Sequence, residues 1–600
     1  MMEKFYSHRN LRFLLYDVHR VAELTAYEYY ADHDQHTFDS VLDAAGRIGK
    51  ELFLPYLTEM DKKQPTYEKG QVRVHPVVRE VLRVGGEGGW IAADFPYEHG
   101  GQQLPVSIAS ATQFIFDAAN FSAAAYWFLT GAAARLLTTF GSAEVIAGFV
   151  APMLAGRWQG TMALTEPQAG SSLADVRTKA LPAVDGTYRI HGQKIFTSAG
   201  EHDAVDNVVH LVLARIQDAP PGIRGISLFV VPKLRHAGDG GLEPNDVVCT
   251  AVYHKLGYRG CPITQLSFGD GDDCRGYLVG EPHQGLTYMF SMMNEARLAT
   301  GIAATAVASA AYYSSLAYAL ERLQGRPAAA KGSNAPQVPI AEHADVRRML
   351  LFQRSVVEGS LSLLLQCARY ADLAHVAAGE ERERAALLLD LLTPVAKSYP
   401  SEMGVLTTSQ ALQILGGYGY CDEFPLEQLF RDMRIHPIHE GTTGIQGLDL
   451  LGRKVRLHGG KGFALFGETV RSAITAAGNH SALAPYAARL DAALSELEQL
   501  TAHLYQTAGA TPEVFLADAT LYLELFGLVA VAWQWLQQGA AIRAGLNAEP
   551  GETERAFLEG KWTTFRYYFH YEVPKSAGLV RRLFEADGLT VHMTAAQFQD

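Results

Sequence analysis

Residues 413–420 of the chain read QILGGYGY, and residues 435–446 read IHPIHEGTTGIQ. The pair Gly416 and Gly417 lets a ligand approach the main chain closely, because glycine carries no side chain. Glu440 lies where a loop enters a helix, which leaves its carboxylate and its own N–H available to a ligand. Few protein families share these two stretches, so they carry most of the information about the fold.

Helical patterns surround these stretches, and a segment rich in β-branched residues precedes them. A chain of 600 residues is too long for one hydrophobic core, so we expect three or four structural units. Apolar residues recur at helical spacing before and after a region of short apolar strands. We predict a mainly α protein with a central small β domain, divided into four domains: 1–160 helical, 161–277 β, 278–456 helical and 457–600 helical.

The last of these segments has two strong helical patterns. One helix is predicted from the three- and four-residue spacing of Leu490, Leu494, Leu497, Leu500 and Leu504. Residues 515–536 are almost wholly apolar, so we expect a helix that lies inside a bundle or at a subunit interface.

Composition excludes several classes of function. No apolar run approaches the roughly 18 residues that span a bilayer, and a net charge of −13 gives no reason to expect nucleic acid or an anionic membrane as partner. The five cysteines are scattered, without a C-x-x-C pair, so neither a disulfide framework nor a metal site is predicted. The chain ends carry no recognisable targeting signal, and a cytoplasmic location is expected.

Further strings occur in a fixed order before the opening stretches. Residues 162–172 read MALTEPQAGSS, residues 192–200 read GQKIFTSAG, residues 294–298 read NEARL and residues 321–325 read ERLQG. Together with the two opening stretches, they resemble the acyl-CoA dehydrogenase family. The resemblance covers roughly residues 80–460, and it implies a helical, β-barrel and helical architecture, to which residues 457–600 add a C-terminal helical bundle.

The resemblance implies that FAD is the cofactor. Leu164 and Thr165 would touch the isoalloxazine ring, in a turn that continues through Gly170, and Ser171 would contact the pantetheine arm or the flavin. Phe196 would lie along a flavin face, and the hydroxyl of Ser198 or Thr197 would reach the flavin N5 region. Residues expected at the adenosine and pyrophosphate end are Arg322, which would act on the FAD of a neighbouring subunit, Gln413, Gly416, Gly417 and Thr442.

The resemblance also implies the catalytic residues, Glu440 as the base and Arg297 beside it. Burial beside the flavin and thioester would raise the pKa of Glu440 toward the working pH. The alternative is that Glu440 only supports the N-terminus of the following helix, where acids are common. Some relatives carry their base immediately before the arginine, but that position is Ala296 here, and Glu295 is expected to point to another face.

Two histidines flank the expected base, His436 and His439. Their spacing is not that of a closed metal site, so structural roles are expected and no metal is predicted. The depth of the acyl pocket is not defined by the sequence, because its expected lining includes the adaptable side chains of Met289, Met292 and Met293.

The function implied is α,β-dehydrogenation of an acyl-CoA thioester, with electrons passed to an electron-transfer flavoprotein. An acyl-CoA oxidase, which reduces oxygen to hydrogen peroxide with the same base and flavin, is the alternative. A flavin-free scaffold on the same fold is a third possibility, disfavoured by Glu440 and Arg322. The long C-terminal segment resembles that of larger relatives, in which it covers the surface used for tetramers, so a homodimer is expected.

Overall fold

The fold was examined in a computed structural model, which describes residues 3–238, 240–327, 329, 334–508 and 511–599, apart from the side chains of residues 290–293 and 507. The chain forms two compact units. One comprises residues 36–296, and the other comprises residues 1–35 together with 297–600. The sequence-based division into four domains has different boundaries and stays a prediction.

The unit of residues 36–296 begins with helices and continues into a sheet. Its helices are α2 (Gln35–Ile48), α3 (Leu57–Lys62), α4 (Val77–Glu87), α5 (Val106–Phe140) and α6 (Ala143–Leu154). A hairpin of β1 (Thr66–Glu68) and β2 (Gln71–Arg73) lies between α3 and α4. The sequence did not predict this hairpin, because its three-residue strands are too short to show an apolar alternation.

The predicted β domain forms an eight-stranded sheet. Its strands are β3 (Trp158–Ala163), β4 (Lys179–Pro182), β5 (Tyr188–Ser198), β6 (Asn207–Ile216), β7 (Ile226–Pro232), β10 (Val247–Val252), β11 (Ile263–Phe268) and β12 (Arg275–Leu278), and a separate pair comprises β8 (Leu234–His236) and β9 (Leu242–Pro244). The order is β10-β11-β5-β12-β7-β6-β3, with β4 pairing β5 and β6. Strand β6 is parallel to β3 and β4, and the other pairings are antiparallel. Small and aromatic side chains such as Ala163, Val212 and Phe229 fill its core.

The second unit is helical. Its helices are α1 (His8–Arg12), α7 (Gly285–Glu321, from Arg297 onward), α8 (Ala344–Val376), α9 (Gly379–Ile414), α10 (Leu426–Met433), α11 (Thr443–Gly452), α12 (Lys461–Gly478), α13 (Ala484–Ala508), α14 (Pro512–Ala517), α15 (Ala519–Asn547), α16 (Glu552–Tyr567), α17 (Ser576–Glu585) and α18 (Leu589–His592). The fold class predicted from the sequence, mainly α with a small central β domain, is confirmed.

Helix α15 contains most of the apolar stretch 515–536, which was predicted as one helix but is divided at Asp518, because α14 ends at Ala517 and α15 begins at Ala519. The expectation that no apolar run approaches the length that spans a bilayer was wrong, because this one helix among the described residues is long and apolar enough to cross a membrane. However, 83% of that apolar window is buried inside the protein. It packs against α8, α9, α11, α13 and α16. The expectation of a helix inside a bundle is therefore confirmed, as is the helix α13, whose five predicted leucines are all buried.

The N-terminal segment is tied to this unit by buried polar contacts. The Lys561 ammonium on α16 donates to Asn10 Oδ1 at 2.7 Å and pairs with Glu358 Oε2 on α8 at 2.7 Å. His19 lies 3.0 Å from Ser362 Oγ. These contacts explain why residues 1–35 group with helices that follow hundreds of residues later.

Candidate active site

Glu440 lies in a tight turn between α10 and α11. Its φ is 53° and that of Gly441 is 85°, so two successive residues adopt left-handed conformations. The left-handed region costs a non-glycine residue about 1 kcal/mol or more, and it persists only where the surroundings hold it. Gln446 Nε2 donates to the Glu440 carbonyl at 3.0 Å, and Thr443 N donates to the Pro437 carbonyl at 3.1 Å.

Thr442 is the N-cap of α11. Its Oγ1 accepts a hydrogen bond from Ile445 N at 3.3 Å. A side-chain oxygen in this position satisfies one of the unpaired N–H groups of the first helical turn. Capping is therefore performed by Thr442, two residues after Glu440.

The Glu440 carboxylate has no hydrogen-bonding or ion-pair partner among the described residues. Glu440 is exposed, yet the protein around it is dense enough for desolvation to raise the pKa of its carboxyl group. The charges of Lys397 and Arg297 oppose this rise. The result is a carboxylate open to a ligand, with a pKa above its ordinary value, which suits a general base.

Arg297 is almost fully buried and is bound to a carboxylate other than Glu440. Its Nη1 donates to Asp449 Oδ2 at 2.8 Å, and the exposed fractions of the two side chains are 4% and 10%. Arg453 Nε donates to the other oxygen of Asp449 at 2.7 Å. Asp449 lies on α11, the helix that follows Glu440, so this pair joins α7 to the element next to the base.

Lys397 is a third charged group at this site. Its side chain is fully buried, and its Nζ donates to the His436 carbonyl at 2.6 Å. The bond joins the middle of α9 to the turn that carries Glu440. The sequence interpretation did not identify Lys397 or Asp449.

The two flanking histidines contact each other. His436 Nδ1 and His439 Nε2 are 3.2 Å apart. Burial lowers the pKa of His436 well below its ordinary value and that of His439 to about 3, so both rings are neutral near pH 7. Among the described residues, no group of three His, Cys, Asp or Glu side chains could hold a metal ion.

The position before Arg297 offers no second base. Ala296 is buried, and Glu295 pairs with Arg135, whose Nε lies 3.2 Å from Glu295 Oε2. Arg135 also binds Asp94 at 2.5 Å. Glu295 is thus held in an ion pair of its own.

In the β domain, the two expected flavin-facing segments are adjacent. Ile195 N donates to the Thr165 carbonyl at 2.8 Å, and Lys194 Nζ donates to the Leu164 carbonyl at 3.0 Å. Lys194 also pairs with Glu166 Oε1 at 2.8 Å, and both side chains are buried. Lys194 and the hydrogen bonds from Thr178 and Arg177 hold the pKa of Glu166 down, at about 2, against desolvation. The ion pair between Lys194 and Glu166 accounts for the charged residue in each of the two strings, residues 192–200 and 162–172.

Phe196 and its neighbours differ in accessibility. Phe196, at φ 56°, is 59% exposed, and its ring lies 4.8 Å from that of Tyr253. Thr197 is buried, whereas Ser198 is partly exposed, which makes Ser198 the more accessible of the two candidate hydroxyls. Gly170 and Ser171 are exposed, and Ser172 Oγ donates to Asp175 Oδ2 at 2.5 Å.

Four of the five residues expected at the adenosine and pyrophosphate end line one pocket, whereas Thr442 is not among its lining residues. This pocket has a volume of about 460 Å³ and is lined by Tyr318, Arg322, Gln324, Ile340, Gln413, Ile414, Leu415, Gly416, Gly417, Tyr418 and Cys421. A Cβ at Gly416 or Gly417 would meet nothing within 4 Å, so the main chain there is open to a ligand. An arginine beside bare backbone is suited to bind a diphosphate, and the pocket therefore fits the FAD pyrophosphate.

The expected acyl-pocket residues are only partly described. Met289 is buried, with 2% of its surface exposed. The side chains of Met292 and Met293 lie outside the described residues.

Comparisons with known proteins agree with this fold. Residues 161–270 match the acyl-CoA dehydrogenase middle domain, residues 283–455 match the acyl-CoA dehydrogenase C-terminal domain, and residues 466–594 match an acetyl-CoA dehydrogenase C-terminal-like domain. The chain is 39% identical to 3-methylmercaptopropionyl-CoA dehydrogenase of Ruegeria pomeroyi, over 93% of this chain and 94% of that protein.

Two solved structures share the fold over most of the chain. ACDH-11 of Caenorhabditis elegans, in complex with C11-CoA, has a TM-score of 0.74 at 20% identity and covers 94% of this chain and 90% of that one. Acyl-CoA dehydrogenase of Bacillus anthracis, complexed with FAD, has a TM-score of 0.69 at 18% identity and covers 93% of each chain.

The fold and the site define a flavin-dependent oxidoreductase. The chain belongs to the acyl-CoA dehydrogenase family, which acts on acyl-CoA thioesters with FAD as cofactor.

Proposed function

We propose that the protein catalyses α,β-dehydrogenation of an acyl-CoA thioester to the trans-2-enoyl-CoA, with Glu440 as the base. The observation that carries this proposal is the Glu440 carboxylate, open to a ligand and without a partner among the described residues, in a turn fixed by Gln446 and Lys397. A base must not be neutralised by a bonded cation, and no such cation contacts this carboxylate among the described residues.

The chemistry divides between the carboxylate and the main chain. The Glu440 carboxylate removes the proton on the α-carbon, and its main-chain N–H donates a hydrogen bond to the thioester oxygen, where negative charge develops. FAD, when bound, accepts the hydride from the β-carbon. Desolvation raises the pKa of the Glu440 carboxyl group, and the positive charges of Lys397 and Arg297 oppose that rise.

FAD binding is assigned to two sets of residues. Leu164, Thr165, Phe196 and Ser198 would contact the ring system, where Gly170 and Ser171 leave the turn accessible. Arg322, Gln413, Gly416 and Gly417 would bind the pyrophosphate and adenosine in the pocket that they line, and Thr442 would lie at the adenine end.

A homodimer is part of the proposal. Large apolar side chains are exposed beside the Arg322 pocket: Leu320 is 58%, Leu323 50% and Tyr418 50% exposed. Such a patch next to a cofactor pocket is suited to a subunit interface. In this arrangement Arg322 of one subunit binds the FAD of the other.

The electron acceptor proposed is an electron-transfer flavoprotein, in keeping with the dehydrogenase name of the Ruegeria pomeroyi relative. The test is turnover of the FAD-loaded protein on acyl-CoAs of graded length, and on 3-methylmercaptopropionyl-CoA, with an artificial acceptor under anaerobic conditions and with oxygen alone. A dehydrogenase turns over with the acceptor and makes little hydrogen peroxide in air. Equal rates with oxygen alone would identify an oxidase.

A further inference from the structure

Lys397 is unusual for a buried lysine. It is fully buried on α9, between Pro394 and Pro400, and its ammonium makes one hydrogen bond among the described residues, to the His436 carbonyl at 2.6 Å. An ammonium has three donors, and burying it without a carboxylate is costly. The other fully buried lysines, Lys194 and Lys561, each pair with a carboxylate at 2.7–2.8 Å.

The charged groups around Lys397 come from three elements. Glu440 lies in the turn, Glu402 lies on α9 and Arg297 lies on α7. His436 and His439 are neutral near pH 7. Desolvation lowers the pKa of Lys397 to about 8, against the opposing effect of Glu440 and Glu402, so the ammonium is mostly charged at neutral pH.

The two cations near Glu440 are not equivalent. The charge of Arg297 is matched by Asp449 at 2.8 Å, whereas the charge of Lys397 is matched by no bonded carboxylate among the described residues. A charge that is not locally matched acts more strongly on its neighbours in a buried environment. Lys397 is therefore the cation best placed to affect Glu440.

We propose that Lys397 is a positioning residue with two actions: its hydrogen bond to the His436 carbonyl fixes the turn that carries Glu440, and its charge keeps the Glu440 carboxylate ionised in a site that burial makes apolar. This inference rests on the proposed role of Glu440 as base. Desolvation raises the pKa of the Glu440 carboxyl group, and the ammonium opposes that rise without bonding to the carboxylate and blocking it.

The test separates the hydrogen bond from the charge. Lys397→Gln keeps a donor for the His436 carbonyl and removes the charge, Lys397→Met removes both, and Lys397→Arg keeps the charge. The measurement is the pH profile of kcat/KM, with FAD content and thermal midpoint recorded for each variant. Without the charge of Lys397 the pKa of Glu440 rises. The acidic limb of the pH profile should therefore move to higher pH by about 1 unit in Lys397→Gln and Lys397→Met. Below this limb, kcat/KM should be roughly tenfold lower than in the unchanged protein.

A matched control is Lys561→Met. Lys561 is also fully buried, and its pKa is also lowered to about 8, but unlike Lys397 it pairs with a carboxylate, that of Glu358. Its acidic limb should stay where it is in the unchanged protein. If Lys397→Gln keeps the original limb, the inference is wrong. Should the Gln and Met variants fail to fold, Lys397→Arg decides: an original limb supports the inference, and a raised limb overturns it.

Failure of the proposed function is distinguished from failure of this inference by the turnover of a second variant. Glu440→Gln is measured in the same series. If that variant retains turnover, the assignment of the base is wrong and the role of Lys397 falls with it. If it is inactive while Lys397→Gln keeps the original acidic limb, only the inference about Lys397 is overturned.

Discussion

Glu440 combines a strained backbone with a carboxylate that nothing in the described chain holds. The left-handed φ of 53° requires several bonds to fix it, and these come from Gln446 on α11 and Lys397 on α9. Strain of this kind persists where the surrounding structure determines the conformation, and it is frequent at catalytic positions. Glu440 is therefore positioned by contacts to the main chain of its turn, and none of them engages its side chain.

Asp449 should be important both for stability and for turnover. In Asp449→Asn, the buried Arg297 loses its ionic partner, and breaking such a pair costs about 3 kcal/mol of unfolding free energy. Chemical denaturation measures this loss, and kcat/KM should fall while FAD is retained. Asp345→Asn is the control, since its pair with Arg348 is exposed and should cost about 1 kcal/mol or less. Equal losses in both variants would contradict this assignment.

At this scale the sequence identified only part of the candidate site. Glu440, Arg297 and the Gly416-Gly417 pair lie in recognisable strings, which is why they could be named in advance. Lys397 and Asp449 could not, because a single charged residue in a helix has no local signature, and its burial depends on elements far away in the chain. The same is true of Glu166 and Lys194, whose strings were identified while their pairing was not.

Helix α11 connects the base to the C-terminal helices. It begins just after Glu440, with Thr442 as its cap, and its residue Gly447 packs against the first residue of α15. A Cβ at position 447 would lie 2.7 Å from the Ala519 carbonyl oxygen. The close approach of α15 therefore depends on glycine, and it joins the C-terminal helices to the helix that follows Glu440.

Two glycines of α11 provide a matched comparison. Gly447→Ala should push α11 away from α15, with a cost of about 1–3 kcal/mol and a fall in kcat. Gly444→Ala should be neutral or stabilising by up to about 1 kcal/mol, because the nearest atom to its Cβ would be Thr442 Oγ1 at 3.8 Å. Thermal midpoints and kcat of both variants check this. A Gly447→Ala protein as active as Gly444→Ala would show that the contact does not position the base.

At the scale of elements, strong patterns of apolar residues predicted helices. The leucines of α13 and the apolar length of α15 predicted both helices, because burial on these faces leaves a clear pattern. The hairpin of β1 and β2 left no such pattern. Its three-residue strands show too few alternations to distinguish them from a loop.

The whole molecule groups residues that the sequence separates widely. Residues 1–35 belong to the same compact unit as 297–600, through contacts such as Lys561 with Asn10. No local pattern in the first 35 residues indicates a partner more than 500 positions away. The order of helical and β regions was therefore predictable, whereas the grouping of the first residues with the last was not.

A subunit-mixing experiment tests the proposed dimer. Arg322→Ala should lose FAD and Glu440→Gln should keep FAD without turnover, so each variant alone is inactive. If Arg322 binds the FAD of the partner subunit, a mixed dimer has one site with both Glu440 and Arg322 intact. Co-refolded or co-expressed variants should then recover up to about half of the specific activity per mixed dimer. No recovery of activity in isolated mixed dimers would show that Arg322 and Glu440 of the same subunit act on the same flavin.

The central claim is that Glu440 removes the α-proton. Its most direct test is to mix the FAD-loaded Glu440→Gln variant rapidly with an acyl-CoA that the unchanged protein oxidises. The mixture contains neither oxygen nor any other electron acceptor. Glutamine keeps the size of the side chain and its main-chain N–H but cannot take up the proton. The account predicts that the flavin of the variant is bleached at a rate lower by about a thousandfold or more than in the unchanged protein. FAD content and acyl-CoA binding should be retained. Bleaching at the rate of the unchanged protein would contradict it.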